Sequence, residues 1–310
     1  MRVLVTGGTG YLGGAIVRAL LARGHEPVVF ARSASAAGLS VRAIDGDVRD
    51  RAAVRQAADA VDAVIHAASL VSIWHPRPAL FDEINVGGLE STLEAARRFS
   101  LRRVVYTSSF LAHPPADGHV PLALNDYQRT KVTAGALARD AIRSGLPLVS
   151  LVPGVLYGPG RETEGNLIGR MIRDHLAGRL PGLIAADRYW SYAFVEDVAA
   201  AHVSALGADV EAGEYLLGGE NATQARLFEI VQELTGAPIP RNIPVPAAFA
   251  IAHLLELRAR VSGRRPAITR GAVHIFRHDW SMDSARSVQK LSYRVTPLST
   301  GVRALLSAVP

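Results

Sequence analysis

The sequence predicts an α/β protein in which a doubly wound parallel sheet carries a smaller C-terminal substrate-binding lobe. Short β-branched runs alternate with helical runs through the first half of the chain, and a glycine-rich turn joins the first strand to the first helix. Beyond residue 155 this alternation weakens. We therefore expect a dinucleotide-binding core in residues 1–155. Residues 156–310 are expected to form mostly a lobe interleaved with it, with the strand and helix near 192–206 returning to the sheet.

The first strand, Val3–Thr6, runs directly into Gly7-Gly8-Thr9-Gly10-Tyr11-Leu12-Gly13, and a helix over 15–23 follows. Missing side chains let the backbone approach a pyrophosphate, and free N–H groups at a helix start point at the anion. The turn therefore predicts a dinucleotide seat. Its predicted contacts are Gly7, Thr9, Gly10, Tyr11, Leu12 and Gly13.

The second strand, Pro27–Ala31, bears on the choice of cofactor. A sheet that binds NAD usually carries Asp or Glu about here, for the ribose 2′-hydroxyl. This chain instead has Arg32 and Ser33, and an arginine with a hydroxyl can hold a 2′-phosphate. We expect NADP(H) rather than NAD(H). The alternative is that Arg32 is a solvated surface arginine.

The remaining elements follow in order along the chain. Further strands are predicted over 41–44, 63–66, 103–107 and 148–152. Helices are predicted over 49–58, 81–99 and 126–144, and in the second half near 166–177, 198–206, 225–234 and 246–261.

Composition narrows the class. The chain has 310 residues, is 49% hydrophobic and has a formal net charge of +6, so a sizeable core is expected. The absence of cysteine excludes disulfides and thiolate chemistry. The basic residues form no run, so no nucleic-acid partner is expected. Without a leader or a long apolar stretch, we expect a cytoplasmic protein without membrane contact. The apolar helix from Val245 to Leu255 is expected to pack on the body.

The catalytic signal is Tyr127 followed four residues later by Lys131. Residues four apart share a helix face, so the two side chains are expected to point the same way. A nearby ammonium is expected to lower the pKa of the phenol from near 10, so that it exchanges a proton with a substrate oxygen. Lysine is scarce here, since only Lys131 and Lys290 occur among 34 basic residues.

Hydroxyl groups end the fifth strand, at Thr107-Ser108-Ser109. Ser109 is expected to donate a hydrogen bond to the substrate oxygen and hold it against Tyr127, with Ser108 as the competing candidate. Thr107 is expected beside the nicotinamide.

Together these motifs identify the chain as similar to the short-chain dehydrogenase/reductase superfamily, in its extended branch. It most resembles the dihydroflavonol-4-reductase-like group and the related NAD-dependent epimerase/dehydratase family. The matching pieces run in the family's order over nearly the whole length: Thr6-Gly7-x-x-Gly10-x-x-Gly13, Gly46-Asp47-Val48, His66-Ala67-Ala68, Asn85-Val86-x-Gly88, Tyr106-Thr107-Ser108-Ser109, Tyr127-x-x-x-Lys131, Pro153-Gly154-x-x-Tyr157-Gly158-Pro159 and Phe194-Val195-Glu196-Asp197-Val198-Ala199.

The resemblance implies roles for several of these residues. It implies a catalytic triad of Ser109, Tyr127 and Lys131, with Asn85 as a fourth member. It further implies cofactor contacts at the adenine (Asp47, Val48), around the nicotinamide (Ala67, Ala68, with His66 beside it) and at the carboxamide end (Pro153, Val155). A homodimer is also implied by the resemblance. We expect no metal, and His274 and His278 are expected to be structural.

The expected activity is NADPH-dependent reduction of a ketone or aldehyde in a fairly apolar small molecule, reversible to the alcohol. A nucleotide-sugar epimerase with tightly bound NAD is the nearer alternative, and a non-catalytic NADP(H)-binding sensor the more distant one. Asn166 and Arg188 lie where sugar-nucleotide enzymes keep diphosphate contacts, or are a helix cap and a surface charge. Candidates for the pocket wall are Trp74, His75, Pro76, Trp190 and Tyr192.

Overall fold

The computed structural model describes residues 1–118 and 124–308. Its strands are β1 (Arg2–Thr6), β2 (Glu26–Ala31), β3 (Arg42–Asp45), β4 (Ala63–His66), β5 (Arg103–Thr107), β6 (Leu148–Pro153), β7 (Val155–Tyr157), β8 (Leu183–Ile184), β9 (Tyr189–Phe194), β10 (Gly213–Leu217), β11 (Glu220–Thr223) and β12 (Asn242–Ile243).

The helices are α1 (Tyr11–Ala22), α2 (Arg51–Ala58), α3 (Ala79–Phe81), α4 (Gly87–Arg98), α5 (Asp126–Arg143), α6 (Leu167–Leu176), α7 (Val195–Ser204), α8 (Gln224–Thr235), α9 (Val245–Ser262), α10 (Arg270–Phe276), α11 (Ala285–Leu291) and α12 (Leu298–Ser307). Within the described residues, none is long and apolar enough to cross a membrane.

The central sheet is parallel and has the strand order β10-β6-β5-β4-β1-β2-β3. The chain leaves β1 in one direction for β2 and β3, then returns to the other side of β1 at β4. This reversal opens a crevice at the carboxyl ends of β1 and β4, where ligands bind in such sheets. The predicted doubly wound Rossmann fold is confirmed.

Helices cover both faces of the sheet. On one face, Ile16 and Leu20 of α1 share a core cluster with Val198 of α7. On the other, α2, α4 and α5 pack against the strands, and α5 buries Ala134, Ala138 and Ala141 along one stripe. That i, i+4, i+7 spacing fixes which side of α5 faces the sheet, and therefore where its polar residues lie.

The strand predicted near residue 192 does not join the central sheet. β9 pairs with β7 and β11 in a separate three-stranded sheet, because Trp190 and Tyr192 pack into the apolar core of the C-terminal lobe. The helix that follows, α7, does return and packs on α1. The returning strand is β10, which pairs with β6 and was not predicted.

The long helix predicted over 81–99 is interrupted. A π-helical segment, Asp82–Val86, lies between α3 and α4. Such segments contain an extra residue and often occur at functional sites. Here the irregular segment carries Asn85, whose side chain is buried.

Candidate active site

The glycine turn joins β1 to α1 in a form that requires glycine. Gly7 has a φ of +72°, and a Cβ on Gly13 would lie 2.1 Å from the Gly7 carbonyl oxygen. Gly10 precedes the first turn of α1, and no described side chain caps that turn. The turn residues Gly10, Tyr11 and Leu12 border a cavity. This arrangement fits the pyrophosphate of a dinucleotide, since it offers free N–H groups and the positive end of a helix.

The cavity has a volume of about 280 Å³ and runs from the glycine turn to the C-terminal lobe. It brings together most of the residues that the sequence singled out: Gly7, Gly10, Tyr11, Leu12, Gly13, Ala67, Thr107, Ser108, Ser109, Tyr127, Lys131, Pro153 and Val155. Seven predicted cofactor residues lie outside this lining: Thr9, Arg32, Ser33, Asp47, Val48, His66 and Ala68. Asn85 is also outside it.

Tyr127 and Lys131 lie on one side of α5, as the spacing predicts. The Lys131 Nζ is 5.9 Å from the centroid of the Tyr127 ring and 5.5 Å from that of Tyr106. It donates a hydrogen bond to the Thr107 carbonyl oxygen at 3.2 Å. Lys131 is buried, and burial lowers its pKa to about 8.

The expected lowering of the Tyr127 pKa is wrong for the protein alone. Burial raises the pKa of this phenol to about 12, and a side-chain hydrogen bond with Ser109 opposes the rise. Removing a phenolate from water costs more than the local groups return. Tyr127 therefore keeps its proton at neutral pH.

The two candidate serines have different partners. The Ser109 side chain lowers the pKa of Tyr127, and its Oγ accepts a hydrogen bond from the Leu111 N–H at 3.2 Å. The Ser108 hydroxyl is buried, and the phenol whose pKa it lowers is that of Tyr106, not that of Tyr127. The geometry therefore favours Ser109 as the group that acts together with Tyr127.

A buried histidine that sequence reasoning missed supports this arrangement. The His202 Nδ1 lies 2.8 Å from the Val198 carbonyl oxygen, to which it must donate, so its Nε2 is an acceptor. The Thr107 hydroxyl is 2.9 Å from that Nε2 and donates to it. Burial lowers the pKa of His202 to about 4, which keeps this tautomer neutral. His202 thus fixes the Thr107 side chain, while the Thr107 carbonyl oxygen accepts a hydrogen bond from Lys131.

His66 is also buried and neutral. Its Nδ1 lies 3.0 Å from the Thr6 hydroxyl and 2.9 Å from the Thr92 hydroxyl. Burial and the nearby Lys131 charge lower its pKa to about 3, so it is no proton acceptor at neutral pH. It links the ends of β1 and β4 beneath the cavity.

Asn85 holds a loop at the cavity. Its Oδ1 accepts hydrogen bonds from the Leu70 N–H at 2.7 Å and from the Ser69 hydroxyl at 3.0 Å. Its Nδ2 donates to the Thr130 hydroxyl at 3.0 Å. The amide thereby ties the Ser69–Leu70 loop, of which Ser69 lines the cavity, to the residue beside Lys131. This geometry is that of a positioning residue.

Arg32 follows β2, at the position for which the sequence predicts the 2′-phosphate contact. Asp47 forms an ion pair with Arg49 at 2.7 Å, and the Asp45 carboxylate accepts hydrogen bonds from the N–H and the hydroxyl of Ser35. Arg32 is exposed and forms no ion pair with another described residue. The carboxylates of Asp45 and Asp47 are thus engaged by Ser35 and Arg49, although the charge of Arg32 also lowers the pKa of Asp47.

The far end of the cavity is mainly apolar. Its wall includes Phe110, Trp190, Ile275 and Phe276, and the Trp190 and Phe276 rings lie 4.9 Å apart. Of the residues proposed for the wall, Trp190 lines the cavity, whereas Trp74, His75, Pro76 and Tyr192 do not. At the rim, Glu164 forms ion pairs with Arg170 and Arg265.

Asn166 and Arg188 have structural partners. Asn166 caps α6 by accepting from the Gly169 N–H at 3.1 Å, and Arg188 forms an ion pair with Asp279 at 3.6 Å. Neither residue lines the cavity. Their interpretation as a helix cap and a surface charge agrees with these contacts.

Comparison with known proteins places this geometry in a family. The family model described as "NAD dependent epimerase/dehydratase family" matches residues 3–218. The chain is 35% identical to the sterol demethylase protein B of Methylococcus capsulatus, covering 97% of this chain and 95% of that protein. It is 28% identical to a putative dihydroflavonol 4-reductase of Synechocystis, covering 98% and 92%. The crystal structure of Thermus thermophilus UDP-glucose 4-epimerase with NAD superposes with a TM-score of 0.78, at 26% identity, covering 99% of this chain and 98% of that one.

Proposed function

Because the chain belongs to the NAD dependent epimerase/dehydratase family, within the extended short-chain dehydrogenases/reductases, we propose that it reduces a ketone or aldehyde carbonyl of an apolar substrate to an alcohol with NADPH. The observation that carries the proposal is the single cavity shared by the glycine turn, the Ser109–Tyr127–Lys131 group and an apolar wall. The names of two relatives agree with the proposal. One is called a reductase, which agrees with the proposed reaction, and the other is called a sterol demethylase protein, which agrees with an apolar substrate.

The protein's own groups account for the proton side of the reaction. A bound nicotinamide would supply the hydride. Ser109 and Tyr127 hold the carbonyl oxygen between two hydroxyls, and Tyr127 gives its proton to that oxygen as negative charge develops there. Lys131 stabilises the phenolate that remains. The apolar wall limits the access of water to the carbonyl.

The proposed preference for NADP(H) rests on Arg32 and Ser33. No carboxylate follows β2 directly, and an exposed guanidinium at this place can pair with a 2′-phosphate. The remaining cofactor contacts would come from the glycine turn, the ends of β4 and β5, and Pro153 with Val155. Asp47 and Val48 would border the adenine.

The decisive experiment compares Tyr127→Phe with Tyr189→Phe. Tyr189 is 49% exposed on β9 and serves as a matched control. Reduction of apolar ketones and aldehydes is followed with NADPH deuterated on one face at a time. We expect transfer from one face only, a loss of about 10²- to 10⁴-fold in kcat for Tyr127→Phe with NADPH binding retained, and no loss for Tyr189→Phe.

Two other outcomes would replace the proposal. NAD that stays bound on purification, together with a stabilising shift by UDP-sugars, would indicate an epimerase. NADPH binding without turnover over a broad carbonyl panel would indicate a sensor. Asn166 and Arg188, the residues considered for contacts with a sugar-nucleotide diphosphate, have structural partners outside the cavity, and this supports the reductase over the epimerase.

A further inference from the structure

Helix α9 has an apolar face turned to solvent. Ala250, Leu254, Leu257 and Val261 follow one another at spacings of three and four, so they form one stripe, here called the outer face of α9. Leu254 is 65% exposed and Val261 is 92% exposed. A surface helix normally carries polar residues on this side.

The opposite face of α9 is apolar as well. Ala248, Ala252 and Ala259 are buried there, and the first two pack with Val273 of α10. The helix is thus apolar toward the body and apolar toward solvent. Contiguous exposed apolar surface of this kind marks a contact with a partner or a lipid surface.

Basic residues flank the outer face. At 100° per residue, Arg258 lies on one side of the stripe and Arg260 on the other, and Arg264 follows the helix end. None of these three arginines forms an ion pair with a residue in 1–118 or 124–308. The acidic residue of this helix, Glu256, is engaged by Arg270 at 2.8 Å.

The outer face is adjacent to the substrate cavity. α10, which packs under α9, supplies Ala272, Ile275 and Phe276 to the apolar end of the cavity. Arg265, just beyond α9, is part of the cavity rim. α9, which carries the outer face, therefore packs directly on α10, the helix that forms part of the cavity wall.

We propose that α9 docks the protein onto an anionic lipid surface. The outer face enters the boundary between headgroups and acyl chains, and Arg258, Arg260 and Arg264 pair with lipid phosphates. The docked position delivers an apolar substrate from the bilayer to the cavity, and this delivery step rests on the proposed reductase function. The contact is peripheral, and it replaces the expectation that the protein meets no membrane.

A second copy of the chain suits this face less well. Self-association through the outer face would bring two sets of arginines together, while Glu256, the acidic residue of α9, is already engaged by Arg270, and like charges at an interface are unfavourable. An anionic bilayer satisfies both the apolar stripe and its basic flanks.

The test is co-sedimentation of the full chain with vesicles of phosphatidylcholine alone or mixed with phosphatidylglycerol, without cofactor or substrate. We expect binding to the mixed vesicles only. The double variant Leu254→Asn/Val261→Asn should lose at least tenfold in partitioning. Arg258→Gln/Arg260→Gln should lose about fivefold per arginine. The matched control is Leu21→Asn/Val288→Asn, whose side chains are 48% and 47% exposed elsewhere, and it should bind normally.

Three results would overturn the proposal. The first is that the protein does not bind anionic vesicles. The second is that Leu254→Asn/Val261→Asn still binds them as wild type does. The third is that the protein does not bind vesicles but forms a dimer in analytical ultracentrifugation, and that the same variant abolishes this dimer. Reduction of a water-soluble carbonyl by the same preparations tests the enzyme separately. That activity should be equal in wild type and both asparagine variants, so failure of docking and failure of the reductase function are told apart.

Discussion

The charge of Lys131 should govern proton donation by Tyr127, and Lys131→Met removes that charge while keeping an unbranched side chain. The chain offers a rare control, since Lys290 is its only other lysine and is exposed on α11. Lys290→Met should leave reduction unchanged.

The distance sets the magnitude. With the Lys131 Nζ 5.9 Å from the Tyr127 ring centroid, a unit charge at an effective dielectric of ~20 stabilises the phenolate by roughly 3 kcal/mol. That energy corresponds to about two pKa units. Because the phenolate is only partly formed in the transition state, kcat for reduction should fall by roughly tenfold to a hundredfold in Lys131→Met.

The pH dependence supplies a second readout. Burial lowers the pKa of Lys131 to about 8, so its ammonium is charged below that pH and neutral above it. Tyr127, with a pKa raised to about 12, stays protonated throughout. Wild-type reduction should therefore be level below about pH 8 and fall above it, whereas Lys131→Met should show no such fall.

The assay is NADPH oxidation against pH, with the dissociation constant of NADPH and the melting temperature measured for each variant. A Lys131→Met enzyme that retains kcat within threefold would refute the reasoning. So would a variant whose whole deficit is weaker NADPH binding, because lysine would then serve the cofactor and not the phenol.

Further predictions concern the groups around this pair. His202→Phe removes the acceptor of the Thr107 hydroxyl and should lower kcat several-fold while KM changes little, whereas a purely structural loss would appear only in the melting temperature. Arg32→Ala should weaken NADPH at least tenfold and leave NADH unchanged, as measured by fluorescence titration. Gly13→Ala should abolish cofactor binding, because its Cβ would lie 2.1 Å from a backbone oxygen, whereas Gly14→Ala, with its nearest neighbour at 3.9 Å, should bind normally.

The features that were predicted correctly are those determined by residues close together in the sequence. Tyr127 and Lys131 lie in one helix, so a spacing of four is enough to place them on one side. The glycine turn likewise follows from a strand, a turn and a helix in succession. The parallel, doubly wound sheet was also predicted correctly, because the alternation of strands and helices allows few arrangements of a parallel sheet.

The parts missed depend on contacts between distant segments. His202 reaches Thr107 across 95 positions, and its helix carried no pattern that identified this residue. β10 was missed because its apolar part, residues 215–217, is only three residues long and follows Gly213 and Glu214; its pairing with β6 is a contact between distant segments. The outer face of α9 could not be distinguished from a buried face, since both consist of the same residue types.

The Tyr127 pKa shows most clearly how surroundings separate functions that share a motif. A Tyr-x-x-x-Lys pair suits reduction and oxidation equally, but burial raises the phenol pKa to about 12 and leaves the proton on Tyr127. Carbonyl reduction begins from the protonated phenol, whereas alcohol oxidation requires the phenolate. An epimerase must run both half-reactions on the same phenol, so it needs charge near Tyr127 to offset burial in one of them. Here Lys131 supplies such a charge 5.9 Å from the Tyr127 ring, yet the pKa of the phenol stays raised, which suits the proposed direction in which Tyr127 gives its proton away.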